Sequence, residues 1–405
     1  MIITDSDFTS TQMNNMMKMN NKSYINTQFD SLGLKTQEVV CEDGNNLVET
    51  TFGYETNTRF KDELIKLPKD TSNSRKYTYV FDDYGKVTEQ LTLKQSSSDV
   101  FDSTYNRLRY TYDAKGQLIT DIINHNELPS GIAHQYTYDK YGNIESYKVN
   151  GNTVHTFTYD EYNRMITFDN KTVTYNDNDG MISLTPSTIG DDTYSWQGRR
   201  LMSISGTKNI QFEYNDQGLR TFKRVDTGQT LNSNKIYKDY EYVYDLDNKL
   251  ICQRVTYLNS IDIMIFLYHD DYLYGFEYAQ SKYFYLRDSL GNINGIVDST
   301  GKLVVEYVYN AFGKLIDILG EMKDTIGVNN PMRYKGYYYD SETQMYYCKS
   351  RYYNPDFCRW ISGDTEKYID TETPLGLNLF VYCDNDPISY ADPSGNLPQW
   401  AMSLI

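Results

Sequence analysis

Between residues 26 and 315 hydrophobic and polar positions alternate with period two, in short runs broken by Asp, Asn and Gly. The run Tyr110-Thr111-Tyr112-Asp113-Ala114-Lys115-Gly116-Gln117-Leu118 shows the unit. Two aromatics share one face of a strand, because side chains alternate, and a turn and a short apolar strand follow. The unit recurs at 136–144, 157–165, 173–181, 212–219, 242–250 and 307–315, with weaker copies from Phe29 and Phe81. Asp or Asn after the second aromatic starts a turn by bonding to nearby backbone. The Gly or Asn that comes next supplies the positive φ that closes a hairpin. A single hairpin cannot bury its ring face alone, so neighbours must stack. The pattern predicts an all-β fold, a spiralling antiparallel sheet of β-hairpin repeats. Helix is scarce, the best candidate being 320–325. The apolar run 261–268 reads as a buried strand rather than a membrane-active piece.

Composition sharpens this picture. The 405 residues include 41 tyrosines, which suit a pleated surface that is apolar along the ring and wet at the hydroxyl. A formal charge of −16 repels phosphate backbones, so the chain as a whole is not expected to bind nucleic acid. Cys41, Cys252, Cys348, Cys358 and Cys383 are odd in number and widely spread, which points to free buried thiols. The four histidines lack metal-ligand spacing, and no cofactor or metal is expected; His269-Asp270-Asp271 reads as a solvated turn. No apolar run of about twenty residues occurs, so no transmembrane helix is expected. Residues 1–22 lack the features of a secretory signal, and the repeats start in mid-stream, so the natural N-terminus is expected upstream of Met1.

The last quarter is different in texture. It contains Arg351-Tyr352-Tyr353-Asn354-Pro355, Arg359-Trp360-Ile361-Ser362-Gly363-Asp364, Leu377-Asn378-Leu379-Phe380-Val381-Tyr382, Asn385-Asp386-Pro387 and finally Asp392-Pro393-Ser394-Gly395. These motifs, in this order, resemble the Rhs-associated core that closes the shell of Rhs and YD-repeat proteins. That family includes the C component of tripartite insecticidal toxin complexes and bacterial polymorphic toxins. The repeats resemble its YD repeat, as do Tyr194-Ser195-Trp196-Gln197-Gly198-Arg199-Arg200-Leu201 and the run 283–293. The resemblance implies a partial hollow cocoon with the C-terminal core wound inside it as a plug. The expected division is a poorly ordered 1–25, a shell at 26–315, a connector at 316–331, the core plug at 332–396, and a residual tail at 397–405.

Asp364 and Asp392 are candidates for an aspartyl-protease-like pair. Two carboxyls a few Å apart cannot both ionise cheaply, so one keeps its proton while the other can activate water. Arg351 is placed to orient a carboxylate or to stabilise an oxyanion. The competing reading is a plain β-turn at Asp392 and a structural ion pair. In related members an Arg and two Asp at these motif positions are implicated in self-cleavage behind the terminal motif. Here that implies a cut at Asn396-Leu397, or one bond further on. The sequence departs from the family pattern at Asn354, Cys358, Thr365 and Asn396, and carries extra residues around 366–373.

Two functions of different class follow. One is an encapsulating, self-cleaving delivery shell for a C-terminal toxin cargo absent from this chain, working with upstream shell or delivery components. The other is a non-enzymatic cell-surface module whose tyrosines bind glycans or protein. Both imply a secreted or cell-surface setting.

Overall fold

The computed structural model describes residues 23–54, 60–98, 100–128, 130–177, 182–365, 375–396 and 399–400. Among them twenty-six strands, β1 (Ser23–Phe29) to β26 (Leu315–Leu319), form one sheet. Each strand pairs antiparallel with the next, from the first hairpin to the last. The meander begins at Ser23, three residues ahead of the expected shell boundary.

The repeat chemistry is visible turn by turn. Oδ1 of Asp82 accepts the N–H groups of Tyr84 and Lys86, both at 2.9 Å. Asp113, Asp139, Asp160 and Asp245 hold the residues two and four places on in the same way. The closing residue has positive φ, +83° at Gly116 and +62° where Asn163 replaces glycine. Just before each turn the ladder slips by one residue, as between Thr111 and Tyr112. This bulge tips the second aromatic so that its hydroxyl reaches the preceding hairpin. Tyr112 donates to Val87 O at 2.8 Å, Tyr159 to Ile144 O at 2.8 Å, Tyr214 to Leu201 O at 2.8 Å, and Tyr309 to Ile293 O at 3.0 Å. Tyrosine, rather than phenylalanine, recurs at this position because its hydroxyl bolts successive hairpins together.

The ribbon winds back on itself. Strands near its start meet strands near its end through side chains: Lys282–Glu42 at 2.8 Å, Arg75–Glu306 at 2.9 Å and Asn294–Tyr77 at 3.0 Å. Between these turns lies a cavity of about 530 Å³, bounded by Glu63, Tyr272 and Arg287 of the shell and Lys335 of the plug. The apolar run 261–268 lies within β21 (Ser260–His269), hydrogen-bonded on both sides, with Met264, Phe266 and Leu267 buried. The expected helix at 320–325 is displaced. Gly320, at φ +100°, ends β26, and a five-residue π turn, Lys323–Gly327, follows. The first four residues of the expected connector belong to β26, so the connector proper starts at Gly320. Among the described residues no helix is long and apolar enough to cross a membrane.

Inside the shell β27 (Tyr338–Asp340), β28 (Met345–Cys348), β29 (Arg351–Asn354) and β30 (Arg359–Trp360) make a small antiparallel sheet. Tyr334, Tyr346, Tyr353, Trp360 and Tyr382 are buried in its core, and Tyr353 stacks on Tyr382 at 4.0 Å. The plug is pinned to the shell by Arg220–Asp340 at 2.6 Å, Lys223–Asp340 at 2.8 Å and Lys86–Asp386 at 2.5 Å. Tyr353 and Tyr346 donate to the carbonyls of Phe312 and Gly313 in the last repeat turn. Finally β31 (Tyr390–Ala391) pairs with β32 (Gln399–Trp400), so the chain doubles back across the terminal turn. Residues 1–22 lie outside the described residues, as do 397–398 and 401–405 of the expected tail.

Candidate active site

Arg351 opens β29 and lies over the Trp360 ring, 4.1 Å from its centroid. Its Nη2 is 2.8 Å from Asp364 Oδ2 and 3.3 Å from Asp392 Oδ2. The two carboxylate oxygens share one nitrogen and so lie within about 6 Å of each other. Nη1 donates to Leu379 O at 3.2 Å, and Nε donates to Gly395 O. One guanidinium therefore gathers both acids and the carbonyl of the turn's last residue. All three groups are buried, with 3%, 4% and 1% exposure for Arg351, Asp364 and Asp392. At that depth an unpaired charge is costly, so the shared cation decides whether the cluster can exist.

Asp364 follows β30 and is positioned by its own backbone, whose N–H donates to Leu379 O at 3.0 Å. Its Oδ1 accepts from Arg199 Nη1 at 2.7 Å and from Thr365 N at 2.7 Å. A proline at 365 has no N–H to offer, so this departure from the family pattern adds a contact. Cys358 has φ +54°, the conformation that favours the family's glycine. Asn354 Oδ1 accepts from Asp356 N at 2.9 Å, as an aspartate would.

Asp392 is built as a repeat turn put to a second use. Its Oδ1 accepts Asn396 N at 3.0 Å, four residues on, and Gly395 closes the turn at φ +71°. Oδ2 is left for Arg351. The Asp392 N–H donates to Tyr337 Oη at 2.6 Å. Burial pushes the Asp392 carboxyl above the usual carboxylate range, against the opposing pull of Arg351. Ser350 Oγ lies 2.7 Å from Gly395 O and 2.8 Å from Ser394 O.

The three residues singled out from sequence thus come together. Asn396 is placed beside Asp392, whereas Leu397 and 366–374 fall outside the described residues. Arg199, Ser350 and Tyr337 were not legible as site residues, although Arg199 belongs to the quoted run 194–201 and Ser350 directly precedes Arg351. The five cysteines are buried and unpaired, and burial pushes Cys348 and Cys383 well above the usual thiol range. Among the described residues no group of three or more His, Cys, Asp or Glu side chains could hold a metal ion.

A wound ribbon of bolted hairpins, closed by an inner Tyr-rich plug, defines a β-shell of the YD-repeat class. The teneurin YD-shell family model matches residues 93–388, and the chain belongs to that family. Among curated relatives, the tRNA nuclease WapA of Bacillus subtilis (strain 168) is 27% identical over 278 residues, 66% of this chain and 11% of that protein. The toxin subunit YenC1 of Yersinia entomophaga is 33% identical over 123 residues, 30% of this chain and 12% of that one. Among solved structures, TcdB2-TccC3 superposes with a TM-score of 0.71 at 19% identity, covering 91% of this chain and 19% of that one. The Photorhabdus luminescens Tc holotoxin pore gives 0.73 at 20%, covering 93% and 19%. The chain spans about a tenth of the first curated relatives' length.

Proposed function

We propose that this chain is the closing part of a secreted toxin-delivery shell, and that Arg351, Asp364 and Asp392 cut it behind the terminal turn. The observation that carries the reading is the single Arg351 guanidinium holding both carboxylates and the Gly395 carbonyl, beside the expected bond. The toxin names of YenC1 and of the Tc assemblies support delivery as the setting. In this reading Asp364, with a guanidinium on each oxygen, is the carboxylate that takes a proton from water. The water oxygen bonds to the carbonyl carbon of Asn396, the Asn396-Leu397 C–N bond breaks, and Asp392 supplies a proton to the leaving nitrogen. Arg351 anchors the strand one residue ahead of that bond and offers positive charge to the developing oxyanion. The cargo would be whatever is joined beyond this point, with further shell segments as partners.

The test is the intact mass of the purified chain under denaturing conditions. A fragment ending at Asn396, and a loss of more than about 100-fold in its rate of formation in Asp364→Asn and Asp392→Asn, is expected. A folded wild-type chain that stays whole for days refutes the cleavage.

The exposed Tyr84, Tyr141 and Tyr162, at equivalent turn positions, favour a second reading, a rim that stacks on sugar rings. Binding to a glycan panel, lost when all three become Ala, would support it; no binding would end it.

A further inference from the structure

Asp364 belongs to the plug, yet half of its carboxylate is held from the shell. Arg199 lies in the turn between β15 (Asp192–Gln197) and β16 (Arg200–Ser205), 165 residues before Asp364 in the chain. Its Nη1 sits 2.7 Å from Asp364 Oδ1, its one ion pair among the described residues. The neighbouring Gly363 N–H donates across the same boundary to Leu184 O at 2.8 Å. The segment carrying Asp364 is thus tied to the shell by backbone and by side chain, while Arg351 reaches it from within the plug.

We propose that Arg199 is a positioning residue for Asp364, and that because the shell supplies it, self-cleavage proceeds only once the plug is seated. The inference rests on the self-cleavage reading above and names its regulation. With Arg199 engaged, both carboxylate oxygens are fixed by cations from opposite sides. With the plug unseated, Oδ1 keeps only the adjacent Thr365 N–H, and the carboxylate can rotate about its side-chain torsions. Misplacement of this kind costs catalysis steeply even when every reacting group is still present. Cutting would then report that the container has closed before its contents are set free.

The charged and titratable groups facing this centre are Arg351 from β29, Arg199 from the shell turn, Asp392 from the terminal turn, the Tyr337 hydroxyl, and the thiols Cys348 and Cys383. Burial keeps both thiols neutral, so they add no charge across the working range. A purely structural tie would show as a lowered melting temperature, whereas loss of positioning slows cutting in a chain that melts like the parent and is rescued by lysine.

The experiment follows the rate of fragment formation by intact mass in the full chain and its Arg199→Ala, Arg199→Gln and Arg199→Lys variants, with thermal melting alongside. Arg199→Ala and Arg199→Gln should cut about 100-fold more slowly. Arg199→Lys, which keeps the charge but not the fork, should recover most of the rate. If Arg199→Ala melts far below the parent, the longer Gln and Lys side chains carry the comparison. Folded Ala or Gln variants that cut at the parental rate overturn the role of Arg199 and leave the cleavage reading standing. A parental chain that never cuts removes the cleavage reading itself, and this inference with it.

Discussion

Replacing Tyr309 by phenylalanine keeps the ring and deletes one hydroxyl. In the structure that hydroxyl donates to Ile293 O at 3.0 Å, and Ile293 is fully buried. The apolar burial of the side chain is unchanged, so the effect isolates the bolt between two hairpins. A neutral hydrogen bond contributes about 1 kcal/mol net, and a carbonyl left buried without a donor raises the loss to as much as about 3 kcal/mol. For a chain of this length that corresponds to a melting shift of about 1–3 °C. Hydrogen exchange gives the sharper readout. Amides of β24 (Ile293–Asp298) and β25 (Leu303–Tyr309) should exchange faster while distant hairpins keep their protection. Tyr112→Phe, Tyr159→Phe and Tyr214→Phe should behave alike in their own repeats. Tyr84→Phe, at a turn tip with 91% exposure, is the control and should stay within about 0.5 kcal/mol. If all four bolt variants match that control in both measurements, the hydroxyls do not hold the hairpins together.

Asp340→Asn should lower stability by about 3–5 kcal/mol, read by thermal melting, because it leaves Arg220 without a carboxylate partner deep in the shell, whereas Lys223 keeps Glu342 at 2.8 Å. Glu63 gives a pH-dependent case, since burial pushes its carboxyl up to about 8. Its folded-state value exceeds the unfolded one, so its contribution is complete below about pH 4.5 and is lost as pH rises towards 8. Melting from pH 4 to 9 should show Glu63→Gln equal to the parent at the acid end and more stable, by several kcal/mol at most, above pH 8. A variant whose curve runs parallel to the parental one would refute this.

The hairpin grammar was open to reading because it is local. An aspartate finds its partners two and four residues away, and Gly116 or Asn163 closes the same turn. The same locality made Asp392 recognisable as a turn residue. The bolts were not legible, because Tyr309 meets Ile293 O only after the bulge and the sheet twist have set their separation. Tyr-x-Tyr spacing says where the rings point and nothing of where the hydroxyls land. Arg351 and Asp364 are thirteen residues apart and share motifs in sequence order, whereas Arg199 joins them through the winding of the whole shell. The misplaced helix has a local cause, since Gly320 adopts a left-handed φ and pushes the helical turn three residues on.

The pairing of β31 with β32 gives any nick in the intervening loop an unusual aftermath. Severing the backbone there would not part the two pieces, since main-chain bonds on either side still clasp them. Chemistry and departure would then be separate events, the second governed by how readily a two-residue ladder peels apart. A nicked molecule would pass as whole on a native column and come apart only when the clasp is melted, or when something pulls on the far strand.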